Sequence, residues 1–274
     1  MSRKIGKLML VGVLCGIGMG CSFSSETSEL PLGVLIRYLA FGEFEIGKGY
    51  VFYFLKQYFP YLIFQAIWGT YLYQRFCTGC VYYFSRLQDR SIWYWKEIVK
   101  LFFMAVSFLV IYIGTAVVTI GIKYGVRWET TGVWMLLLNL EIQVLWLYTM
   151  TLLTNLFSIR WGSSSGYIMI ASVVFMGLCY FVLFEDVLDF SSNDNLVLKS
   201  IMVKINPISH IVLKWHSSDI KVVNTYLRAL GIDFSIWGSM VLLMIGAIIA
   251  SVYGENVIKK QEFIVLNRET GGTL

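Results

Sequence analysis

Charged residues, prolines and histidines are all scarce in this chain of 274 residues. Only 14% of the residues are charged, three are proline and two are histidine. A soluble domain usually carries about 25% charged and about 45–50% apolar residues. Here 57% are apolar and the mean hydropathy is +0.69, which is more apolar surface than one water-soluble core can enclose. The composition excludes a disordered chain and indicates a protein that is dissolved in a bilayer.

Motifs for nucleotide or metal chemistry are also missing. No Gly-x-x-x-x-Gly-Lys-Ser/Thr loop occurs, so any ATP-driven action needs a separate ATPase chain. His210 and His216 are six residues apart, which is not the spacing of a helical zinc site, and are interpreted as polar loop residues. Cys77 and Cys80 have zinc-like or redox-like spacing but no second pair, and are interpreted as thiols at a helix end. The acids of 185–194 indicate a solvated surface rather than a calcium loop.

Six apolar runs are each long enough to cross a bilayer, for which a helix needs about 20 residues. We therefore predict an all-α membrane protein in which 1–274 form a single transmembrane domain. The predicted spans are 5–23, 53–76, 101–122, 133–157, 166–184 and 236–253.

The distribution of basic residues predicts the orientation of these spans. Segments on the side of both termini hold 12 Lys and Arg in 61 residues, whereas the other side holds 10 in 96. Cytoplasmic loops are the more basic ones, so both termini are predicted in the cytoplasm. The net charge of +5 is spread over these loops, which favours a membrane surface and not nucleic acid as its partner.

The first apolar run has two interpretations. Its basic start and the small residues before Cys21 resemble a secretory or lipoprotein signal. However, Gly12, Gly16 and Gly20 recur every fourth residue, a pattern that lets two membrane helices approach closely. We expect a retained first helix that packs through these glycines. In the loop that follows, 32–41 predict a short interfacial helix.

Glu141 is the only charged residue inside the fourth predicted span. An ionised carboxylate there costs about 3 kcal/mol or more. It is a candidate for a substrate path or a helix contact, and the alternative is a carboxyl group that is hydrogen-bonded between helices. Asn139 and Gln143 share a different face of the same span and are candidates with it.

The segment between the second and third spans, 75–100, contains a short amphipathic stretch. Aromatic residues precede the charged ones in it: Tyr82, Tyr83, Phe84, Arg86, Asp89, Arg90 and Lys96. A tether needs no such pattern, and a short helix with aromatic anchors and basic pairing groups could bind a partner protein. The alternative is an interfacial helix whose basic side chains reach lipid phosphates.

With this segment, the chain resembles the membrane-spanning permease subunits of type-2 ABC exporters. Those proteins have six spans, cytosolic ends and a coupling helix between the second and third spans, and Arg86, Arg90 and Lys96 stand in matching places. The resemblance implies a bacterial plasma-membrane transport subunit that binds a separate ATPase and a second permease copy or paralogue. It also implies that ATP is bound by the partner and that this chain has no catalytic site, cofactor or metal. Two other functions stay open: a non-transporting immunity or sensor subunit, and a membrane-embedded enzyme.

Overall fold

The computed structural model describes residues 2–82, 90–185, 187–188, 196–227 and 230–260, with side chains from Gly6 onward except Lys48 and 78–82. The described residues are mostly helical. The helices are α1 (Ser2–Ser22), α2 (Leu32–Leu39), α3 (Val51–Trp68), α4 (Tyr71–Tyr82), α5 (Arg90–Tyr124), α6 (Thr130–Trp161), α7 (Ser163–Leu183), α8 (Leu196–Ile205) and α9 (Ile236–Lys260). Two strands of two residues each, β1 (Leu30–Pro31) and β2 (Val126–Arg127), pair in parallel.

Among the described residues, four helices are long and apolar enough to cross a membrane: α5, α6, α7 and α9. They contain the predicted spans from the third to the sixth, except that α7 ends one residue earlier than predicted. Large apolar side chains such as Phe103, Val118 and Phe175 are exposed on them, as expected for surfaces that face hydrocarbon. The prediction of an α-helical membrane protein is confirmed at this level.

Successive passes of the chain alternate in direction around a central α6. We call the end that holds the start of α5 and the end of α9 the basal end, and the opposite end the apical end. Tyr148 of α6 packs on Phe102 of α5, and Thr149 bonds to a carbonyl of α9. These contacts, and those between the other helices, show the direction of each helix. α3, α4, α6 and α9 run towards the basal end, while α1, α5 and α7 run away from it.

The glycines Gly12, Gly16 and Gly20 line the contact between α1 and α5. A Cβ atom at Gly16 would collide with the Thr115 side chain, and one at Gly20 would lie 2.6 Å from the Cβ atom of Thr119. Gly12 is close to α5 as well, with 3.2 Å to the Ile111 Cγ2 atom. The close approach that the glycine spacing predicts is therefore the approach of α1 to α5.

The second predicted span, 53–76, is not one helix. α3 ends at Trp68 and α4 begins at Tyr71, with a turn at Gly69 and Thr70. Asn155 of α6 reaches this break, where its amide donates to the Trp68 carbonyl at 2.8 Å and its oxygen accepts from the Leu72 N–H at 2.7 Å. The break is stable because a side chain replaces the hydrogen bonds that the helix gives up.

The predicted helix over 32–41 exists as α2, but it is buried and not interfacial. Leu32, Leu35 and Ile36 are fully buried, and α2 packs along the apical half of α6. The last carbonyls of a helix have no partner within it. Here Gln57 donates to the Tyr38 carbonyl at 2.6 Å and Gln143 to the Leu39 carbonyl at 3.5 Å.

A second irregular segment, 206–217, is buried at the apical end. Trp146 of α6 donates to the Pro207 carbonyl at 2.9 Å, and the Asn206 amide donates to the Gly177 carbonyl of α7 at 2.8 Å. Trp215 is 1% exposed and packs on Phe44 and Phe181. The segment is thereby held between α6, α7 and the chain that follows α2.

Candidate functional site

The basal end holds a buried acid that joins α4 to α5. Glu97 is 5% exposed, accepts a hydrogen bond from the Tyr71 hydroxyl at 2.5 Å and pairs with Lys100 at 2.7 Å. Burying a carboxylate is costly unless hydrogen bonds and an opposite charge compensate it. Tyr71 and Lys100 provide both, so the carboxylate fixes the start of α5 against α4.

A second set of contacts joins the start of α5 to the end of α9. The Trp95 indole donates to Glu255 at 3.0 Å, and Glu255 also pairs with Lys259 at 2.7 Å. The buried ring of Tyr94 lies directly against Gly254, where a Cβ atom would have no room. The first turns of α5 are therefore packed and bonded to two other helices.

The predicted coupling segment connects to this basal cluster of Tyr71, Tyr94, Trp95, Glu97 and Glu255. Arg90 opens α5 and is half-buried, and Lys96 is exposed between the cluster residues Trp95 and Glu97. The remaining predicted coupling positions lie outside the described side chains: Tyr82, Tyr83, Phe84, Arg86 and Asp89.

The intramembrane candidates of α6 separate into two faces. Asn139 and Gln143 are fully buried and bonded to each other at 2.8 Å, beside the end of α2. Glu141 is exposed on another face and forms no ion pair or hydrogen bond with a described residue. The amide pair thus holds α2, while the carboxylate faces outward from the described part of the chain.

A polar row on α3 was missed in the sequence. Gln57, Tyr61 and Gln65 recur every fourth residue on one face of α3 and are buried towards the interior of the bundle. Gln57 bonds the end of α2, and Gln65 accepts a hydrogen bond from the Tyr58 hydroxyl at 3.2 Å. The spacing of four was a usable signal, because residues four apart share a helix face.

Two histidines that are separate in the sequence meet at the apical end. The Oγ atom of Ser239, near the start of α9, lies 2.9 Å from His210 Nδ1 and 2.8 Å from His216 Nε2. The second ring nitrogens face the carbonyls of Lys204 and Val212 at 2.9 and 3.0 Å. The Phe234 ring stacks on His216 with 4.2 Å between centroids. Both histidines lie in the loop segment before α9, as predicted, and both rings are buried.

This apical cluster of His210, His216 and Ser239 lacks one proton for its hydrogen bonds. A carbonyl only accepts, so each ring must donate its N–H to its carbonyl. Both remaining ring nitrogens then accept, and the single Ser239 proton can serve one of them. An extra proton would create a buried imidazolium, whose desolvation costs several kcal/mol. That exceeds the roughly 1–3 kcal/mol of one missing hydrogen bond, so the cluster is neutral.

The electrostatics of the rings agree with a neutral cluster. Burial lowers the pKa of His216 to about 3, and the neighbouring His210 lowers it further. Burial also lowers the pKa of His210 below its ordinary value. The Ser239 side chain is itself buried, so the cluster joins the irregular segment to α9 and is closed to a substrate in this conformation.

Lys214 is a buried cation in the same irregular segment. Its side chain is 1% exposed, and its ammonium pairs with Glu45 at 3.4 Å. Burial lowers its pKa, and the Glu45 carboxylate opposes that shift. The pair connects the segment 206–217 to the chain between α2 and α3.

In the part of the chain that the structure describes, no three His, Cys, Asp or Glu side chains lie close enough to hold a metal ion. Cys77 lies half-buried near the end of α4, and the Cys80 side chain lies outside the described set.

Comparison of this chain with protein-family models, curated proteins and solved structures found no match. Its fold and its clusters therefore stand on their own residues. The basal cluster is the arrangement that bears most directly on what the chain could do, because it joins the first turns of α5 to both α4 and α9.

Proposed function

We propose that this chain is the membrane-spanning subunit of a bacterial ABC exporter and that it is powered by a separate ATPase subunit. It crosses the plasma membrane six times, with both ends in the cytoplasm and the basal end on the cytoplasmic side. It pairs with a second permease copy or paralogue and carries no ATP site of its own. The cargo is a peptide or a lipid-linked molecule.

The observation that carries the proposal is the connection of the basal cluster to the 83–89 segment. α5 begins 11 residues before its predicted span, which is about 16 Å of helix at 1.5 Å per residue. A partner that moves 83–89 acts on this extension. Glu97 transfers the movement to α4, and Trp95 and Tyr94 transfer it to α9.

The alternation of helix directions supports the six crossings. α1, α3 with α4, α5, α6, α7 and α9 form six passes that run alternately away from and towards the basal end. An even number of passes leaves both ends of the chain on one side, as the distribution of basic residues also indicates. In this arrangement α3 and α4 are one crossing with a break at Gly69.

The first experiment tests the complex and its coupling. The full chain is co-expressed with an ATPase subunit encoded beside it, and both retention on an affinity tag and ATP turnover are measured. Arg86→Glu or Tyr83→Ala should abolish the complex, because they remove a pairing charge and an anchor. Glu97→Gln should retain the complex but lower transport per ATP hydrolysed, because it weakens the connection of α5 to α4 through Tyr71.

The matched control is Lys260→Glu, a charge reversal at the same end of the molecule on the exposed end of α9. It should leave both measurements unchanged. An intact complex with unchanged turnover in both the Arg86 and Tyr83 variants would contradict the proposal. Absence of any ATPase complex with the wild-type chain would instead favour the immunity or sensor subunit.

A further inference from the structure

An open groove separates α1 from α3. Its volume is about 420 Å³, and apolar side chains line most of it, including Val11, Leu14, Phe59 and Ile63. Leu14 and Phe59 are 59% and 58% exposed, so the groove opens sideways to the hydrocarbon. It exists because α1 packs tightly on α5 through its glycine face and meets α3 only briefly.

The apical end of the groove is polar. Lys56 of α3 and Ser22, the last residue of α1, line it there. The Lys56 ammonium lies 3.9 Å from Glu43, which is at the limit of an ion pair, and donates no hydrogen bond to a described residue. The ammonium also lies 5.5 Å from the centroid of the Tyr38 ring. Since neither contact is a hydrogen bond, the N–H donors of Lys56 can bind an anion beside the Glu43 carboxylate.

The length of the groove matches one leaflet of a bilayer. From Ser22 to Val11, α1 rises about 16 Å at 1.5 Å per residue. Half of a hydrocarbon core of roughly 30 Å is about 15 Å. A ligand whose charged end lies at Lys56 would therefore reach the bilayer centre with its apolar part.

We propose that this groove binds a phospholipid with an anionic headgroup, which places an acyl chain between α1 and α3 and the phosphate at Lys56. The occupant is a lipid of the apical leaflet, since the polar end of the groove is the apical one. The proposal depends on the membrane location of the chain and not on any ATPase partner.

The test compares lipids that differ only in headgroup charge. The full chain is purified from nanodiscs made with equal amounts of dioleoyl phosphatidylglycerol and dioleoyl phosphatidylcholine, and the lipids that it retains are counted by native mass spectrometry. One basic residue near a membrane surface favours an anionic lipid about fivefold. We expect a retained ratio of about 5 for the wild type and about 1 for Lys56→Gln.

Two further variants make the result specific. Lys221→Gln removes the same charge from an exposed position beyond the groove and should keep the wild-type ratio. Gly18→Leu fills the groove, where a Cβ atom at Gly18 meets nothing within 4 Å, and should reduce the retention of both lipids. Each variant must melt at the wild-type temperature. Equal retention of the two lipids by the wild type, or an equal loss in the Lys56 and Lys221 variants, would overturn the proposal.

Discussion

Asn155 shows what the buried polar side chains of this bundle do. It bonds to a backbone acceptor and a backbone donor at the break between α3 and α4. Gln57 and Gln143 each donate to a backbone carbonyl at the end of α2, and Trp146 does so in the irregular segment. Asn206 both donates to the Gly177 carbonyl and accepts from the Ile208 N–H. In hydrocarbon every backbone polar group must be satisfied internally. These residues therefore make buried, non-helical backbone possible.

Replacing Asn155 tests this role. Asn155→Leu leaves the Trp68 carbonyl and the Leu72 N–H without partners, and each buried unpaired group costs about 1–3 kcal/mol. We expect a lower thermal unfolding temperature in detergent. Asn256→Leu, the same change on an exposed position of α9, should leave that temperature within error. Equal melting of the Asn155 variant and the wild type would mean that the break is satisfied in another way.

The apical cluster predicts a loss of stability in acid. The pKa of His216 is about 3 in the folded chain and about 6.5 in the unfolded chain. Between pH 6.5 and 3 the unfolded state binds a proton on His216 that the folded state does not bind. The free energy that His216 thereby contributes to stability is present above pH 6.5 and is lost as the pH falls towards 3. From pH 7.5 to 5.5 this amounts to about 1.4 kcal/mol.

Unfolding of the wild type and of His216→Gln in detergent at these two pH values measures this contribution. The variant has no imidazole at position 216, so it should lose less stability than the wild type over the same interval. Any other groups that titrate affect both proteins and cancel in the difference. An identical pH dependence of the two proteins would show that His216 is accessible to protons in the folded state.

At the scale of elements, the contact of α1 with α5 depends on small residues at defined positions. Gly16→Ala places a Cβ atom against Thr115 and 2.6 Å from the Tyr112 carbonyl. Overpacking of this kind costs about 1–3 kcal/mol. Gly18→Ala, two residues away on the same helix, meets nothing within 4 Å and should be neutral or slightly stabilising. Thermal unfolding of the two variants compares them, and equal effects would place α1 elsewhere.

The sequence predicts the long helices well because their signal is local. Apolar runs of about 20 residues mark α5, α6, α7 and α9 without reference to the rest of the chain. The break at Gly69 has no such signal, since its stability comes from Asn155, more than 80 residues away. α2 has an apolar face and one charged residue, Arg37, and such a face can pack on lipid or on other helices, so the sequence could not distinguish an interfacial position from a buried one.

The clusters were less predictable than the helices because their residues are distant from one another in the sequence. Tyr71 and Glu97 are 26 residues apart and meet only because α4 and α5 are antiparallel neighbours. His210, His216 and Ser239 have no spacing that is typical of a site, and the folding of 206–217 onto α9 brings them together. In contrast, the row of Gln57, Tyr61 and Gln65 lies on one helix and was within reach of sequence reasoning.

For the whole molecule, the two ends of the bundle differ in construction. The basal end consists of regular helices that extend past their predicted spans and are tied by Glu97 and Glu255. The apical end is filled by α2 and the irregular segment 206–217, which are fixed by buried amides and histidines. In the proposed orientation, the cytosolic end receives force through rigid helices, and the outer end is the part that can rearrange.

Reporter fusions test this orientation for the whole chain. Alkaline phosphatase is active only outside the cytoplasm, whereas green fluorescent protein fluoresces within it. Fusions after residue 128, between α5 and α6, should give active phosphatase and no fluorescence. Fusions after Gly162 and after Lys260 should give the reverse.

A fusion after residue 26 decides whether α1 crosses the membrane. With six crossings it reports the outer side, and it matches the fusion after residue 128. If this fusion fluoresced while the others kept their expected sides, α1 would not cross, only one crossing would fit between residues 26 and 128, and the chain would have four crossings in all. Because α5 follows α1 in the same direction along their glycine contact, we expect the two fusions to agree. Their disagreement would also remove the basis for a groove between α1 and α3 that opens to hydrocarbon.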